Sequence, residues 1–583
     1  MKKTIVASCC LAVALAWVIT ARAEEPTAQW NALVDEYLDK VYFPLNPTTA
    51  TLDGVHDYDS EIEDYSRAGV EAQDKKLHDF VARLEQFPAE GLRPVDAADR
   101  QILLGTIRSD LLTLEEIRPL EKNPDVYSSG VTASIYVLMS RKFALADERL
   151  RSAVAREHKI PGILTRARGN LNNPPLIYTE IAIQQLPGII AFYEKDVPLA
   201  FANAKDQEVK SEFAKSNAEV IAALRKYEEW LKMDLLPRSN GDFRIGAENF
   251  SKKLLYEDMV DTPLERLLEV GMSDLRKNQA ALRNVAQEID ADKTPERVMA
   301  KLGLMHPAPD KLMETFRGTF DGLISFIQQK YIITMPSAAR PILQETPPFA
   351  RATTTASMDA PGPFETKAKE AYFNVTLPAP GDSPAEVASL MEAFNIGTIV
   401  STSTHETFPG HFLQYLWTAR APTKLRKTFD ANTNSEGWAH YCEQMMLDEG
   451  YGQPGTGAKD ALESKYIRLG QLQDALLRDA RFVVGIKMHT GKMSFQEAKE
   501  FFVKEGFQTA KIAEIESKRG TSDPTYLYYT LGKLQILKLR EDYKRKVGAA
   551  FVLGKFHDEF MGQGEPPIAV VRKAMLGDDS PVL

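Results

Sequence analysis

The chain has 583 residues, 44% of them hydrophobic, and a formal net charge of −10, which supplies a large core and exceeds one small domain. The acidic balance disfavours nucleic acid or an anionic membrane as partner. Of three cysteines, Cys9 and Cys10 lie at the very start, so Cys442 has no partner for an internal disulfide.

At the start, Lys2-Lys3, an apolar run from Thr4 to Thr20 and Ala21-Arg22-Ala23 follow the order of a secretory signal peptide cleaved after Ala23, with a retained anchor as the alternative. The stretch "VASC" (6–9) faintly resembles a lipoprotein box, but the apolar run continues past it. Loss of Lys2, Lys3 and Arg22 with the leader takes the net charge from −10 to −13. The predicted mature chain, 24–583, is a periplasmic or secreted protein. No later run is long and apolar enough for stable membrane insertion.

Helical periodicity dominates the mature chain. Segments 68–86, 97–118 and 177–203 read as helices, and Phe213, Val220, Ile221, Leu224, Tyr227, Trp230 and Leu231 form one apolar stripe. Thr262-Pro263-Leu264-Glu265 has the form of a capping box opening another helix. Segments 308–331, 458–489 and 528–545 continue the pattern. The Pro- and Gly-rich region 341–384 differs, and within it "AYFNVTLP" (371–378) alternates as a half-buried strand does. The predicted class is mainly α with a small β element.

Next comes "STSTHETFPGHFLQYLW" (401–417). A catalytic zinc takes three protein ligands, commonly two His and a carboxylate, with a non-ligand Glu beside it as base. His405, Glu406 and His411 suit those roles, yet six residues of regular helix advance about 9 Å and turn about 240°, which would separate the two imidazoles. Pro409 breaks the helix and Gly410 tolerates unusual backbone angles, so two residues looped out would restore convergence. In "NSEGWAHYCEQM" (434–445), Asn434 or Ser435 is a candidate cap that puts Glu436 in the first helical turn as third ligand. Glu436, His440 and Glu443 share that helix face, and His440 is a rival ligand or a hydrogen-bonding neighbour of the site. His489 reads as a helix-terminal residue or an oxyanion donor, and Tyr526, Tyr528 and Tyr529 as core packing or donors. Arg481, Lys533 and Arg540 are candidate partners for a terminal carboxylate, or solvated surface charges.

His405-Glu406-Thr407-Phe408-Pro409-Gly410-His411 followed by Gln414, with E-G-W-A-x-Y-x-E from Glu436 to Glu443, resembles the bacterial domain of unknown function 885 family. That family is similar in turn to HExxH-plus-Glu peptidases of the oligopeptidase and angiotensin-converting-enzyme type. The segments 50–66, 243–257 and 528–536 resemble it as well. By position the resemblance implies His405, His411 and Glu436 as ligands of one Zn2+ and Glu406 as general base. It gives His489 and Tyr529 as oxyanion candidates, although Gly485 and Lys487 stand where the family has Asp and Gly. It implies a two-lobed helical body around a deep channel, a metal-site lobe of about 340–583, and the strand at 371–378 laid along the substrate. The expected function is zinc-dependent hydrolysis of short peptides. The alternatives are hydrolysis of an ester or non-peptide amide, and a non-catalytic exported helical metal-binding protein.

Overall fold

The structure is a computed structural model that describes residues 26–347, 354–379 and 381–583; the leader lies outside the described residues. The fold is mainly α. Helices Arg67–Gln86, Pro94–Leu112 and Leu176–Ala191 occupy three segments with helical periodicity, and Gln207–Trp230 carries the long apolar stripe. On that stripe Val220, Leu224 and Tyr227 are buried, whereas Phe213 and Trp230 pack at its margin.

The elements around the motif segments are helix α1 (Leu264–Ile289) and helix α2 (Leu312–Lys330), followed by strands β1 (Ile342–Glu345), β2 (Ala356–Asp359) and β3 (Tyr372–Val375). Then come α3 (Ile396–Glu406), α4 (His411–Thr418), α5 (Asn432–Asp448), α6 (Ala461–His489), α7 (Ala510–Ser522) and α8 (Tyr528–Val547). Helix α6 runs through the middle of this set, packing against α1, α3, α7 and α8. Helices α5 and α8 pair closely, with Gly437 against the Gly532 backbone; a Cβ on Gly437 would lie 2.6 Å from the Gly532 Cα. This close approach sets Tyr529, one turn before Gly532, beside the face of α5 that carries Glu436.

The expected capping box at Thr262 is not formed: α1 begins at Leu264 after Pro263, with no side-chain cap bond. Strand β3 also differs from the half-buried expectation. The sheet order is β1-β3-β2, parallel on one side and antiparallel on the other. Phe373, Asn374 and Val375 are all buried. The Asn374 amide is satisfied from both flanks, accepting from Gln344 and donating to Ser357. Because both backbone edges of β3 are used, it has none left to pair with a substrate. The open edge near the motif is that of β2, which packs against α3.

Candidate metal centre

Helix α3 starts at Asn395, whose side chain accepts from the N–H groups of Gly397 and Thr398, both at 3.0 Å, a regular N-cap. It ends at Glu406: the Thr407 N–H still reaches Ser403 at 2.9 Å, but the donors after it leave the helical pattern. The Gly410 N–H reaches back six residues to the Thr404 carbonyl at 3.0 Å, and Leu413 reaches Thr407 at 3.2 Å. A regular turn spans four residues, so residues 407–410 absorb the two extra ones. Phe408 plugs the core between Phe320 and Phe412, with ring centroids 6.0 and 5.3 Å away. The Trp438 indole N–H ties the Pro409 carbonyl to α5 at 2.8 Å.

Gly410 adopts φ −70° and ψ −139°, and a Cβ there would lie 1.8 Å from the His405 carbonyl oxygen and 2.4 Å from that of Thr404. The two helices approach too closely for a side chain.

The loop brings the imidazoles together, with ring centroids 4.8 Å apart and nearly perpendicular. The Glu436 Oε2 lies 3.3 Å from Nε2 of His405 and 3.3 Å from Nε2 of His411. All three ligand atoms fall within 4.8 Å of one another. Tetrahedral zinc ligands with bonds of about 2.0–2.1 Å sit about 3.3–3.4 Å from each other, the spacing found from Glu436 to each imidazole. Oε2 of Glu436 is buried and makes no hydrogen bond among the described residues, an arrangement that costs free energy unless a cation satisfies it. The residues present fit a zinc ion.

Glu436 reaches this position differently from the sequence expectation. Helix α5 starts at Asn432, and neither Asn434 nor Ser435 caps it. Asp258 does so from a distant segment, accepting from both the N–H and hydroxyl of Thr433 at 2.9 and 2.7 Å. Asn434 instead donates to the Pro566 carbonyl at 2.7 Å. Glu436 therefore sits in the second turn.

Behind His405 lies a buried charge network. Its Nδ1–H donates to the Glu443 carboxylate at 2.7 Å, which fixes the tautomer and aims Nε2 at Glu436. Arg478 pairs with the same Glu443 oxygen at 2.9 Å, and His440 donates to the other at 3.2 Å. His440 is thus linked to His405 through Glu443 and does not belong to the group around Glu436. Burial alone would raise the Glu443 pKa, but Arg478, then His440 and His405, hold it below the usual carboxylate range. Burial, reinforced by Lys533, pushes His440 down to about 3, so it is neutral. Burial opposes charging of His405, yet Glu436 and Glu443 outweigh it and lift its pKa to about 9. Burial would likewise raise Glu436, but His411 and His405 bring it well below its ordinary value. The cluster attracts positive charge.

Glu406 is 9% exposed, and its carboxylate has no hydrogen-bond or ion-pair partner among the described residues. Tyr529 stacks near His405, with centroids 6.3 Å apart. Its hydroxyl accepts from Arg519 at 3.1 Å, leaving its own proton to donate. Burial, then the charge of Glu436, raises the Tyr529 pKa, so the phenol stays protonated. Tyr528 donates to Asp523 at 2.8 Å, and Tyr526 is fully buried.

His489 is placed elsewhere. One ring nitrogen meets the Gly520 carbonyl at 2.7 Å and the other accepts from the Ile245 N–H at 3.4 Å. Phe243 and Phe250 pack around it. It lies 11 residues beyond Arg478 on the same helix, about 16 Å along the axis. With both nitrogens bound to backbone it has no donor for an oxyanion, and the structure does not bring it to the three ligands. Burial, opposed by the Gly520 bond, lowers its pKa to about 4.

The family described as "Bacterial protein of unknown function (DUF885)" matches residues 47–575. Among solved structures, a proposed lipoprotein of unknown function from Shewanella oneidensis is 26% identical, with a TM-score of 0.75, over 94% of this chain and 98% of that one. A proposed lipoprotein from Colwellia psychrerythraea shares the fold, with a TM-score of 0.78 at 17% identity over 95% and 99% of the two chains. No curated protein matches the chain.

Proposed function

The chain belongs to this bacterial family, DUF885, and from that membership together with the site we propose that it is an exported zinc-dependent metallopeptidase acting on short peptides. The observation that carries the reading is the convergence of His405, His411 and Glu436, with both Nε2 atoms 3.3 Å from one buried carboxylate oxygen. Beside them the Glu406 carboxylate has no partner among the described residues. Export is supported by the leader-like first residues and by the proposed lipoproteins that share the fold. Among the described residues no helix is long and apolar enough to cross a membrane.

Zinc held by these three residues would supply Lewis-acid polarisation of the scissile carbonyl and of water. Glu406, adjacent in sequence to His405, accepts the proton of the attacking water and returns it to the leaving nitrogen. Tyr529, its hydroxyl already accepting from Arg519, donates to the oxygen that gains charge. Glu443 and Arg478 keep His405 in the tautomer and orientation a ligand needs.

The zinc-loaded full chain is expected to hydrolyse members of a short-peptide library, with loss on chelation and recovery on adding zinc. Zinc-dependent cleavage confined to esters or non-peptide amides would replace the substrate class. Absence of zinc-dependent hydrolysis across both libraries would overturn the proposal.

A further inference from the structure

Resting on the peptidase reading above, we propose that Arg519 receives the terminal carboxylate of the substrate, so that cleavage falls one or two residues from the carboxyl end. The three cations that the sequence offers for this task are committed elsewhere. Arg481 is buried and doubly bonded to Glu516, at 2.6 and 2.8 Å. Lys533 is buried against Asp274 at 2.8 Å, and Arg540 donates to the Tyr441 hydroxyl at 3.1 Å. Arg478 is held by Glu443.

Three guanidinium groups surround the Tyr529 ring, those of Arg478, Arg481 and Arg519. The first two are matched by buried carboxylates. Arg519 has a 34% exposed side chain and a partner, Asp523, that is itself 28% exposed. Its Nε and Nη2 both fall on a single Asp523 oxygen at 3.2 Å, short of the parallel two-bond geometry that satisfies a guanidinium. Nη2 also donates to the hydroxyls of Tyr528 and Tyr529, both at 3.1 Å. Nη1 has no partner among the described residues. The guanidinium is thus positioned by two phenols and still presents a free donor to an incoming anion.

The placement suits a chain end. Arg519 bonds the hydroxyl end of Tyr529, while the Tyr529 ring faces His405 with centroids 6.3 Å apart. The Arg519 guanidinium lies 5.7 Å from the Tyr529 centroid, so it stands no more than 12.0 Å (5.7 plus 6.3) from the His405 ring; up to two residues of extended chain, at about 3.3–3.6 Å each, with the bonds at their two ends, span a separation within that limit. A substrate whose scissile carbonyl lies at the three ligands would then bring its terminal carboxylate to Arg519, where a charge-assisted bond forms.

The test uses the zinc-loaded full chain and two probes, acetylated tetra-alanine as the free acid and as its terminal amide. Wild type is expected to favour the acid in kcat/KM by about 10- to 100-fold, the range of a hydrogen bond to a charged group. Arg519→Ala should erase that preference mainly through KM, and Arg519→Lys should keep part of it. Calorimetric binding of both probes to Glu406→Gln, with and without Arg519→Ala, reads the same preference without turnover. Wild-type indifference between acid and amide in binding, or a preference that survives Arg519→Ala, overturns the assignment. Acid-selective binding lost in Arg519→Ala, without wild-type hydrolysis, upholds the Arg519 site and counts against the peptidase reading instead.

Discussion

Glu406→Gln is expected to retain one zinc per chain and to lose about 10²- to 10⁴-fold in kcat, the contribution of a positioned general base. The carboxylate is not among the three convergent ligand atoms, so its amide should leave the metal in place. Among the described residues it also makes no bond that holds α3 or α4 together, so the variant should fold as wild type does. Elemental analysis together with turnover on a cleaved peptide reads both halves. Near wild-type turnover in a zinc-loaded Gln variant would remove Glu406 from the mechanism.

Gly410→Ala should act through geometry, with the ligands themselves unchanged. The added methyl would lie 1.8 Å from the His405 carbonyl oxygen and 2.4 Å from that of Thr404, contacts that backbone must relieve by moving. Moving it separates His405 from His411 and strains the Gly410 bond to Thr404. The expected result is a loss of stability of about 1–3 kcal/mol, typical of overpacking, and zinc affinity at least about tenfold weaker. Thermal unfolding with and without zinc, and a zinc titration, check the two effects. Wild-type affinity in the variant would mean that the tight approach of α3 and α4 does not set the ligand spacing.

Much of the site was legible because local chemistry writes it. Pro409-Gly410 between two histidines demands a broken helix, and the break appears at residues 407–410. The helices with strong apolar stripes were legible for the same reason, since periodicity of 3.6 survives in one sequence. What stayed hidden depends on partners far away in the chain. Asp258 caps the helix of Glu436 from a segment more than 170 residues earlier, whereas the local sequence points to Asn434 or Ser435. Arg481 and Lys533 read as substrate partners or surface charges because Glu516 and Asp274 are not adjacent in sequence. His489 reads locally as a helix end or an oxyanion donor, and its place is set by distant Ile245 and Gly520. The strand at 371–378 looked half-buried because the short strands that flank it carry weak patterns of their own.

Glu443, Arg478 and Arg519 were the residues that sequence reasoning left without roles. Glu443 shared the helix face of Glu436, a usable hint. Arg478 and Arg519 sit in amphipathic helices where a lone arginine ordinarily marks the solvent side, and only the fold turns them toward Glu443 and Tyr529.

Two imidazoles and one carboxylate gripping a single cation across a looped-out turn is the arrangement on which the proposed chemistry stands. It can be checked in crystals grown with zinc and measured on both sides of the zinc absorption edge. One anomalous peak per chain is expected, within bonding distance of His405 Nε2, His411 Nε2 and Glu436. No peak at that position in zinc-replete crystals, or a peak ligated by other residues, would refute the assignment of these three ligands.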